Sequence, residues 1–163
     1  MAKSKEILKE EPFMSHQYPV NWKEFYRNAQ ALAWRLKEIQ EWKGIIAITR
    51  GGLVPAAIMA RELEIRKIDT IGIVSYGEDD KQADLNVIKD CEVEEGGAGW
   101  LIVDDLVDTG LTAKIVRKML PHAHITAIYA KPLGKSYVDT FMTEVSQDTW
   151  IVFPWEEDID MGN

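Results

Sequence analysis

An apolar strand that ends in acidic residues gives this sequence its clearest chemical signal. Residues 101–103 are apolar, and Asp104 and Asp105 follow them directly. Two adjacent carboxylates at the carboxyl end of a strand can hold two vicinal hydroxyl groups or a hard divalent cation. Residues 108–112 then offer backbone N–H groups, two hydroxyl groups and a predicted helix start at Leu111, which together favour a dianionic phosphate. The sequence therefore predicts a loop that grips both ends of a sugar phosphate.

The same residues also permit a plainer interpretation. Asp and Thr are common in helix caps and turns, so residues 104–112 would also suit a strand-to-helix turn with solvated acids. The pattern of two acids, a two-residue spacer, a third acid and Thr-Gly-x-Thr is nevertheless specific in composition and spacing. We favour the sugar-phosphate site and keep the turn as its alternative.

A second glycine turn is a candidate site for a pyrophosphate. Residues 49–52, Thr-Arg-Gly-Gly, lie between an apolar run and a helical pattern that starts at Leu53. Backbone amides and the Arg50 guanidinium can receive an anion there, because glycine permits close approach to the backbone. Arg-Gly-Gly alone is as typical of an ordinary turn. The acidic segment that follows a later strand in the same way favours the phosphate interpretation.

Strands and helices alternate along the chain in the order expected of a parallel sheet. Asn21 and Glu24 form a capping-box pattern at the start of a first helix, whose apolar face extends to Ile39. Short apolar runs indicate buried strands, and helical periodicity indicates helices that cover them. The predicted strands are residues 44–49, 70–75, 100–103 and 125–130, and the later helices are residues 53–63 and 111–120. This order predicts an α/β fold with a mainly parallel sheet, in which ligands bind at the carboxyl ends of the strands.

Length and composition indicate one domain and a cytoplasmic protein. A chain of 163 residues suits a single core, which we assign to residues 18–163. Residues 1–17 are rich in Lys and Glu and lack a core signal, so we expect a poorly ordered extension. No apolar run approaches the roughly 20 residues of a membrane span, and no signal-peptide core is present. We expect a cytoplasmic protein without integral membrane association, and we leave open a peripheral contact with the inner membrane face.

The net charge weighs against a nucleic-acid-binding protein, and the cysteine content excludes a disulfide within the chain. The formal net charge of −8 weighs against a nucleic-acid surface, which needs concentrated Lys and Arg. A small anionic ligand needs only a few inward-facing cations, backbone dipoles and a metal ion. The single cysteine, Cys91, has no partner for a disulfide within the chain.

The acidic pattern resembles the 5-phosphoribosyl diphosphate (PRPP) loop of the type I phosphoribosyltransferases. Further similar segments extend the resemblance over about residues 22–155, and they are closest to the members that use guanine and xanthine. The additional segments are residues 42–47, 50–55, 60–63, 130–132 and 147–155.

The resemblance implies a fold and a reaction. It implies a central, mainly parallel sheet flanked by helices, with a small hood formed by the terminal segments. The implied reaction transfers phosphoribosyl from PRPP to N9 of a 6-oxopurine, guanine or xanthine before hypoxanthine, and gives GMP or XMP plus pyrophosphate. It also implies Mg²⁺ as cofactor and a homo-tetramer or homo-dimer. A hypoxanthine-preferring enzyme and a non-catalytic PRPP-binding regulator are the alternatives.

The resemblance also implies roles for individual residues. Asp104 and Asp105 would hold the ribose hydroxyls, with Asp105 nearest the metal, and Asp108 would move a proton at purine N7. A non-proline cis peptide is expected at Arg50–Gly51. The 5′-phosphate would be bound by Asp108, Thr109, Gly110, Leu111 and Thr112; the pyrophosphate by Thr49, Arg50, Gly51, Gly52 and Lys81; and the purine by Asp108, Lys131, Trp150 and Ile151.

The resemblance also implies how the purine is recognised. Lys131 would meet the purine O6, Trp150 would cover one face of the base, and backbone groups around Ile151 would read the 2-substituent.

Ala83 stands where a basic residue is expected in the mobile loop, and Lys81 is its nearest substitute. Residues 76–99 are polar and acidic, so they predict either a lid over the site or a simple exposed hairpin.

Overall fold

The central strands of this protein are apolar on both faces, so they require a covering layer on each side. The computed structural model describes residues 16–76 and 84–156. Lys81 and Ala83, for which the sequence predicts a role in a mobile loop, and most of the predicted N-terminal extension therefore lie outside the described residues. In chain order the elements are β1 (His16–Pro19), α1 (Trp22–Lys37), β2 (Gly44–Thr49), α2 (Leu53–Glu62), β3 (Ile68–Tyr76), β4 (Asp84–Lys89), β5 (Trp100–Val107), α3 (Leu111–Met119), β6 (His124–Ala130), β7 (Thr140–Glu144) and β8 (Thr149–Val152), with short 3-10 helices at Glu95–Gly97 and Lys135–Tyr137.

Six of the strands form one sheet in the order β4-β3-β2-β5-β6-β7. Every neighbouring pair is parallel except β3 and β4. β1 and β8 form a separate two-stranded parallel sheet, in which His16 is opposite Thr149. The predicted α/β class and the hood of terminal segments are thus both confirmed.

Helices cover both faces of the sheet. α1 and α2 pack on one face, where Phe25, Leu32 and Met59 are fully buried, and α3 covers the other face through Val116. The Asn21 side chain caps α1 by accepting a hydrogen bond of 2.8 Å from the Glu24 backbone N–H, as the capping-box pattern predicts. None of the described helices has the length and apolar character needed to cross a membrane.

Two predicted boundaries were wrong. Ile39 does not belong to the buried face of α1, because the helix ends at Lys37 and Ile39 is 52% exposed. β5 does not end at Val103 but continues to Val107, because its pairing with β6 persists to the pair Val107–Ala130. Asp104 and Asp105 therefore lie within a strand, where successive side chains point to opposite faces of the sheet.

The polar segment after β3 contains an edge strand. β4 pairs with β3 in antiparallel fashion, with Ser75 opposite Leu85 and Tyr76 opposite Asp84. The described part of this segment thus contains an antiparallel edge strand, and residues 77–83 lie outside the described residues.

A buried tyrosine in β6 gives the fold a specific sensitivity to alkaline pH. Tyr129 is fully buried, and its hydroxyl accepts a hydrogen bond of 3.0 Å from Asn28 Nδ2 of α1. Burial raises the pKa of Tyr129 to about 12. The unfolded chain would lose this proton near pH 10, so the folded state loses stability as the pH rises from about 10 to 12.

Tyr129→Phe should make the free energy of unfolding less dependent on pH above pH 10. One tyrosine contributes at most about 1.4 kcal/mol per pH unit to this slope. Urea unfolding at several pH values between 9 and 11.5 would measure it. Asn28→Ala is the control, because it removes the same hydrogen bond and keeps the buried phenol and the steep slope. Equal slopes for Tyr129→Phe and the unmodified protein would contradict the assignment.

Candidate active site

The point where the strand order reverses creates the site. The chain proceeds from β2 to β3 in one direction along the sheet and from β5 through β6 to β7 in the other. Pairing between β2 and β5 stops at Ala47 and Val103, while β5 stays paired with β6 up to Val107. The carboxyl ends of β2 and β5 therefore diverge, and open α/β sheets bind ligands in such a crevice.

The first of two cavities at this crevice lies over the segment between β5 and α3. It has a volume of about 380 Å³ and is lined by Asp104, by residues 108–113 and by the Trp150 ring. Gly110 precedes α3 with φ of 89°, and no side chain caps this helix. The first amides of α3 are thus left for an anion, as the sequence predicts for Thr109, Gly110, Leu111 and Thr112.

The second cavity lies on the side of the β2 turn. It has a volume of about 940 Å³ and is lined by Thr49, Arg50 and Gly51 together with Asp105 and Glu156. Ser75 lines both cavities, while Asp104 faces the first and Asp105 the second. The alternation of side chains along β5 thus places one carboxylate beside each predicted anion site.

The two acids are partly buried and lack a basic partner in the described residues. Asp104 Oδ1 accepts the Asp105 backbone N–H at 2.9 Å, and Asp105 Oδ1 accepts that of Leu106 at 2.7 Å. Within residues 16–76 and 84–156, no Lys or Arg forms an ion pair with either acid. Burial, and then the charge of Asp105, raises the pKa of Asp104 well above its usual value. Burial likewise raises the pKa of Asp105, and the charge of Glu156 adds to this.

The two acids fit a divalent cation that completes its coordination elsewhere. No group of three or more His, Cys, Asp or Glu side chains in the described part of the chain could hold a metal ion. Mg²⁺ commonly uses one or two carboxylates, several waters and the phosphate oxygens of a substrate. Asp104 and Asp105 offer the hard oxygen donors that this arrangement requires.

The turn after β2 approaches Asp105 closely. A Cβ atom on Gly51 would lie 2.6 Å from both Asp105 carboxylate oxygens, so only glycine leaves this carboxylate where it is.

The cis peptide is Thr49–Arg50, one residue earlier than predicted, and the expectation of Arg50–Gly51 was wrong. The cis bond falls directly at the end of β2, because Thr49 is still paired with Gly72 of β3.

Asp108 is held by two side chains from other parts of the chain. Its Oδ2 forms an ion pair of 3.0 Å with Lys131 Nζ, and its Oδ1 accepts a hydrogen bond of 2.7 Å from Gln147 Nε2. Lys131 is buried, so it is not a solvated lysine at the sheet edge. Sequence reasoning missed Gln147, because nothing in the spacing indicates its contact with a residue 39 positions away.

Two of the four predicted purine residues, Trp150 and Ile151, lie in β8. Trp150 is 58% exposed and its ring lines the first cavity, whereas Ile151 is buried. Trp155 instead packs against Phe25 and Phe153, with ring centroids 4.9 Å and 4.7 Å apart. Trp150 thus lines the first cavity, and Trp155 lines the second.

Comparisons with known proteins agree with the family resemblance. Residues 20–161 match the model of the phosphoribosyl transferase domain. Curated proteins named xanthine-guanine phosphoribosyltransferase from Nitratidesulfovibrio vulgaris (strain DP4) and Desulfotalea psychrophila (strain LSv54 / DSM 12343) are 57% and 55% identical, over 87% and 85% of this chain and 86% of each relative. The crystal structure of purine phosphoribosyltransferase from Pyrococcus horikoshii Ot3 is similar with a TM-score of 0.74 and 25% identity, over 90% of this chain and 99% of that chain.

Asp104→Asn should stabilise the ligand-free protein at pH 7, by roughly 1 kcal/mol as is typical when a functional charge is removed. The pKa of Asp104 is raised in the folded state, so its ionisation destabilises the fold as the pH rises. The advantage of the variant should therefore shrink as the pH falls toward 4. Urea unfolding in the presence of EDTA between pH 4 and 8 measures this.

Asp69→Asn is the control, because its effect on stability should have the opposite sign to that of Asp104→Asn. The hydrogen bond from Lys89 lowers the pKa of Asp69, so this variant should lose stability at pH 7. An Asp104→Asn protein that is no more stable than the unmodified protein at pH 7 would contradict the assigned burial of the acid pair.

Proposed function

The chain belongs to the phosphoribosyl transferase domain family, and we propose that it transfers phosphoribosyl from PRPP to N9 of guanine or xanthine, with hypoxanthine a weaker acceptor. The relatives that are 55–57% identical are named for this reaction, and the sequence predicted it. The chain is thus a purine salvage enzyme. The arrangement that best supports the reaction is an acid pair with one anion-binding turn on each side.

PRPP fits across the crevice between β2 and β5. We place its 5′-phosphate at the amides of residues 109–112 and its pyrophosphate at residues 49–52, with Lys81 a further candidate for the pyrophosphate. Asp104 and Asp105 lie between these two turns, where the hydroxyls of the ribose would be. The divergence of the two strands supports this placement, because it separates the two anion sites while keeping both beside β5.

Mg²⁺ is the cofactor that the acid pair suits. Asp104 and Asp105 would both hold the ribose hydroxyls. Asp105 would be the one nearest to the ion. When bound, the ion offsets negative charge on the departing pyrophosphate. The raised pKa values of both acids support a bound cation, because a nearby positive charge would favour the ionised carboxylates that burial disfavours.

The side chains near the ribose and base promote the exchange of bonds. The bond between C1′ and the pyrophosphate oxygen breaks, and a bond between C1′ and purine N9 forms. Positive charge develops at C1′, and the carboxylates of Asp104 and Asp105 stabilise it electrostatically. Asp108 accepts the proton of the purine at N7.

The purine would lie between Asp108 and Trp150. The Trp150 ring is exposed in the first cavity and offers a face for stacking. The Lys131 ammonium donates to the 6-oxo group, whereas the amino group of adenine would present a donor to a donor. The side chain of Ile151 is buried, so its backbone groups are the ones that would read the 2-substituent.

The same proposal extends to assembly and location. We propose a cytoplasmic homo-dimer or homo-tetramer. The exposed rings of Trp22, Tyr26 and Trp34 along α1 support an interface between copies, because aromatic residues are enriched at interface cores. The net charge of −8 weighs against nucleic acid as a partner.

Pyrophosphate release from PRPP and Mg²⁺ should be fastest with guanine and xanthine, slower with hypoxanthine and absent with adenine. Each base is offered separately at the same concentration. Fastest release with hypoxanthine would indicate the hypoxanthine-preferring alternative. Binding of PRPP without turnover of any base would overturn the proposed reaction and indicate a regulator.

Gly51→Ala should lower kcat/KM by about 100-fold, the cost expected when a catalytic group moves by about 1 Å. The new Cβ must displace Asp105, whose carboxylate oxygens lie 2.6 Å from its position. Gly72→Ala is the control, because its Cβ meets chiefly the Ile88 side chain, which is 63% exposed and can turn. Equal activities of the two variants, each shown to be folded by circular dichroism, would contradict the close approach of Gly51 to Asp105.

A further inference from the structure

Gln147 joins three segments of the chain that meet at Asp108. It lies between β7 and β8, and its Nε2 donates to Asp108 Oδ1 at 2.7 Å. Its Oε1 accepts the backbone N–H of Leu133 at 3.0 Å, in the turn that follows β6. This turn also touches the acidic segment directly, because the Lys131 N–H donates to the Val107 carbonyl at 2.9 Å.

The chemistry of its neighbours fixes the orientation of the Gln147 amide. A backbone N–H can only donate a hydrogen bond, so the amide oxygen must face Leu133. The amide NH₂ group must then face Asp108, whose ionised carboxylate can only accept. Rotating the amide by 180° would lose both hydrogen bonds, so Gln147 holds the Asp108 carboxylate in one orientation.

Asp108 has two holders, and one of them has a second task in the proposed reaction. Lys131 Nζ binds Asp108 Oδ2 at 3.0 Å and would also donate to the purine 6-oxo group. A Lys131 ammonium shared between Asp108 and the base would hold Asp108 less tightly than one bound to Asp108 alone. Gln147 is bound to the other carboxylate oxygen and lies on a different segment, so its hold does not change.

We propose that Gln147 is a positioning residue that keeps Asp108 aimed at the purine while Lys131 binds the 6-oxo group. The inference rests on the proposed function, because it assigns Asp108 to proton transfer and Lys131 to the base. It differs from a purely structural role for Gln147, in which the contact with Leu133 alone would matter.

Two substitutions separate the hydrogen bond to Asp108 from the bond to Leu133. Gln147→Ala removes both. Gln147→Glu keeps an acceptor of the same shape for Leu133 and, when ionised, loses the donor to Asp108. The charged and titratable groups around the introduced carboxyl are Asp108, Lys131, Asp148, which is the next residue in the chain, and His16, whose charge acts on Asp148. Protonation of the introduced carboxyl at lower pH would restore an O–H donor.

Steady-state rates with guanine and PRPP provide the test. Gln147→Ala should lower kcat about tenfold or more, less than the roughly 100-fold that loss of an acid–base group costs in Asp108→Asn, with KM for PRPP changed less than about twofold. Gln147→Glu should be similarly slow at pH 8, and its kcat relative to the unmodified protein should rise as the pH falls to 5.5. A structural role predicts instead that Gln147→Glu matches the unmodified protein at every pH.

Gln30→Ala is the matched control. Gln30 Nε2 also donates to a carboxylate, Glu62 Oε1, at 3.0 Å, and this contact joins α1 to α2 away from the site. This variant should keep full activity. An inactive unmodified protein would overturn the proposed function, whereas full activity of both Gln147 variants in an active enzyme would overturn only the role of Gln147.

Discussion

The site depends on the pairing of β5 with β6 beyond the point where β5 leaves β2. Backbone hydrogen bonding to β6 keeps β5 extended to Val107, although its apolar run ends at Val103. Because the strand remains extended, Asp104 and Asp105 point to opposite sides of the sheet. The same divergence opens the crevice between β2 and β5. One backbone constraint thus separates the two proposed anion sites and supplies each with a carboxylate.

This arrangement destabilises the fold where the ligand binds. Asp104 and Asp105 are drawn into the protein without a basic partner among the described residues, and burial raises the pKa of each. Groups kept in an unfavourable state by the surrounding structure are typical of functional sites. A cation and a sugar that bridges the two turns would relieve this by providing the missing positive charge and hydrogen-bond donors. Ligand binding and the stability of the acid pair are therefore coupled.

Asp108 illustrates a different way of placing an acid. It is half exposed, and two side chains set its position. One follows the carboxyl end of β6, and the other lies in the segment before β8. The ammonium of Lys131 binds one carboxylate oxygen of Asp108, and the amide of Gln147 binds the other. Loss of either contact therefore leaves one carboxylate oxygen without its side-chain donor. The proposed reaction makes Lys131 serve both Asp108 and the base. Under this proposal, the neutral amide of Gln147 keeps Asp108 in place while Lys131 serves the base.

The sequence by itself determined the α/β order, the capping of α1, the acidic and glycine turns and the family, because these depend on residue type and local spacing. It placed helix α2 to within a residue, whereas its choice of Trp150 over Trp155 as the ring that covers the base stays a prediction. Only the tertiary structure decided that β5 continues through both acids, that Lys131 is buried against Asp108, and that Gln147 completes this contact. It also decided that the cis peptide precedes Arg50. Strand pairing and contacts between distant segments depend on neighbours that local sequence does not specify, since residues 39 positions apart leave no periodic signal.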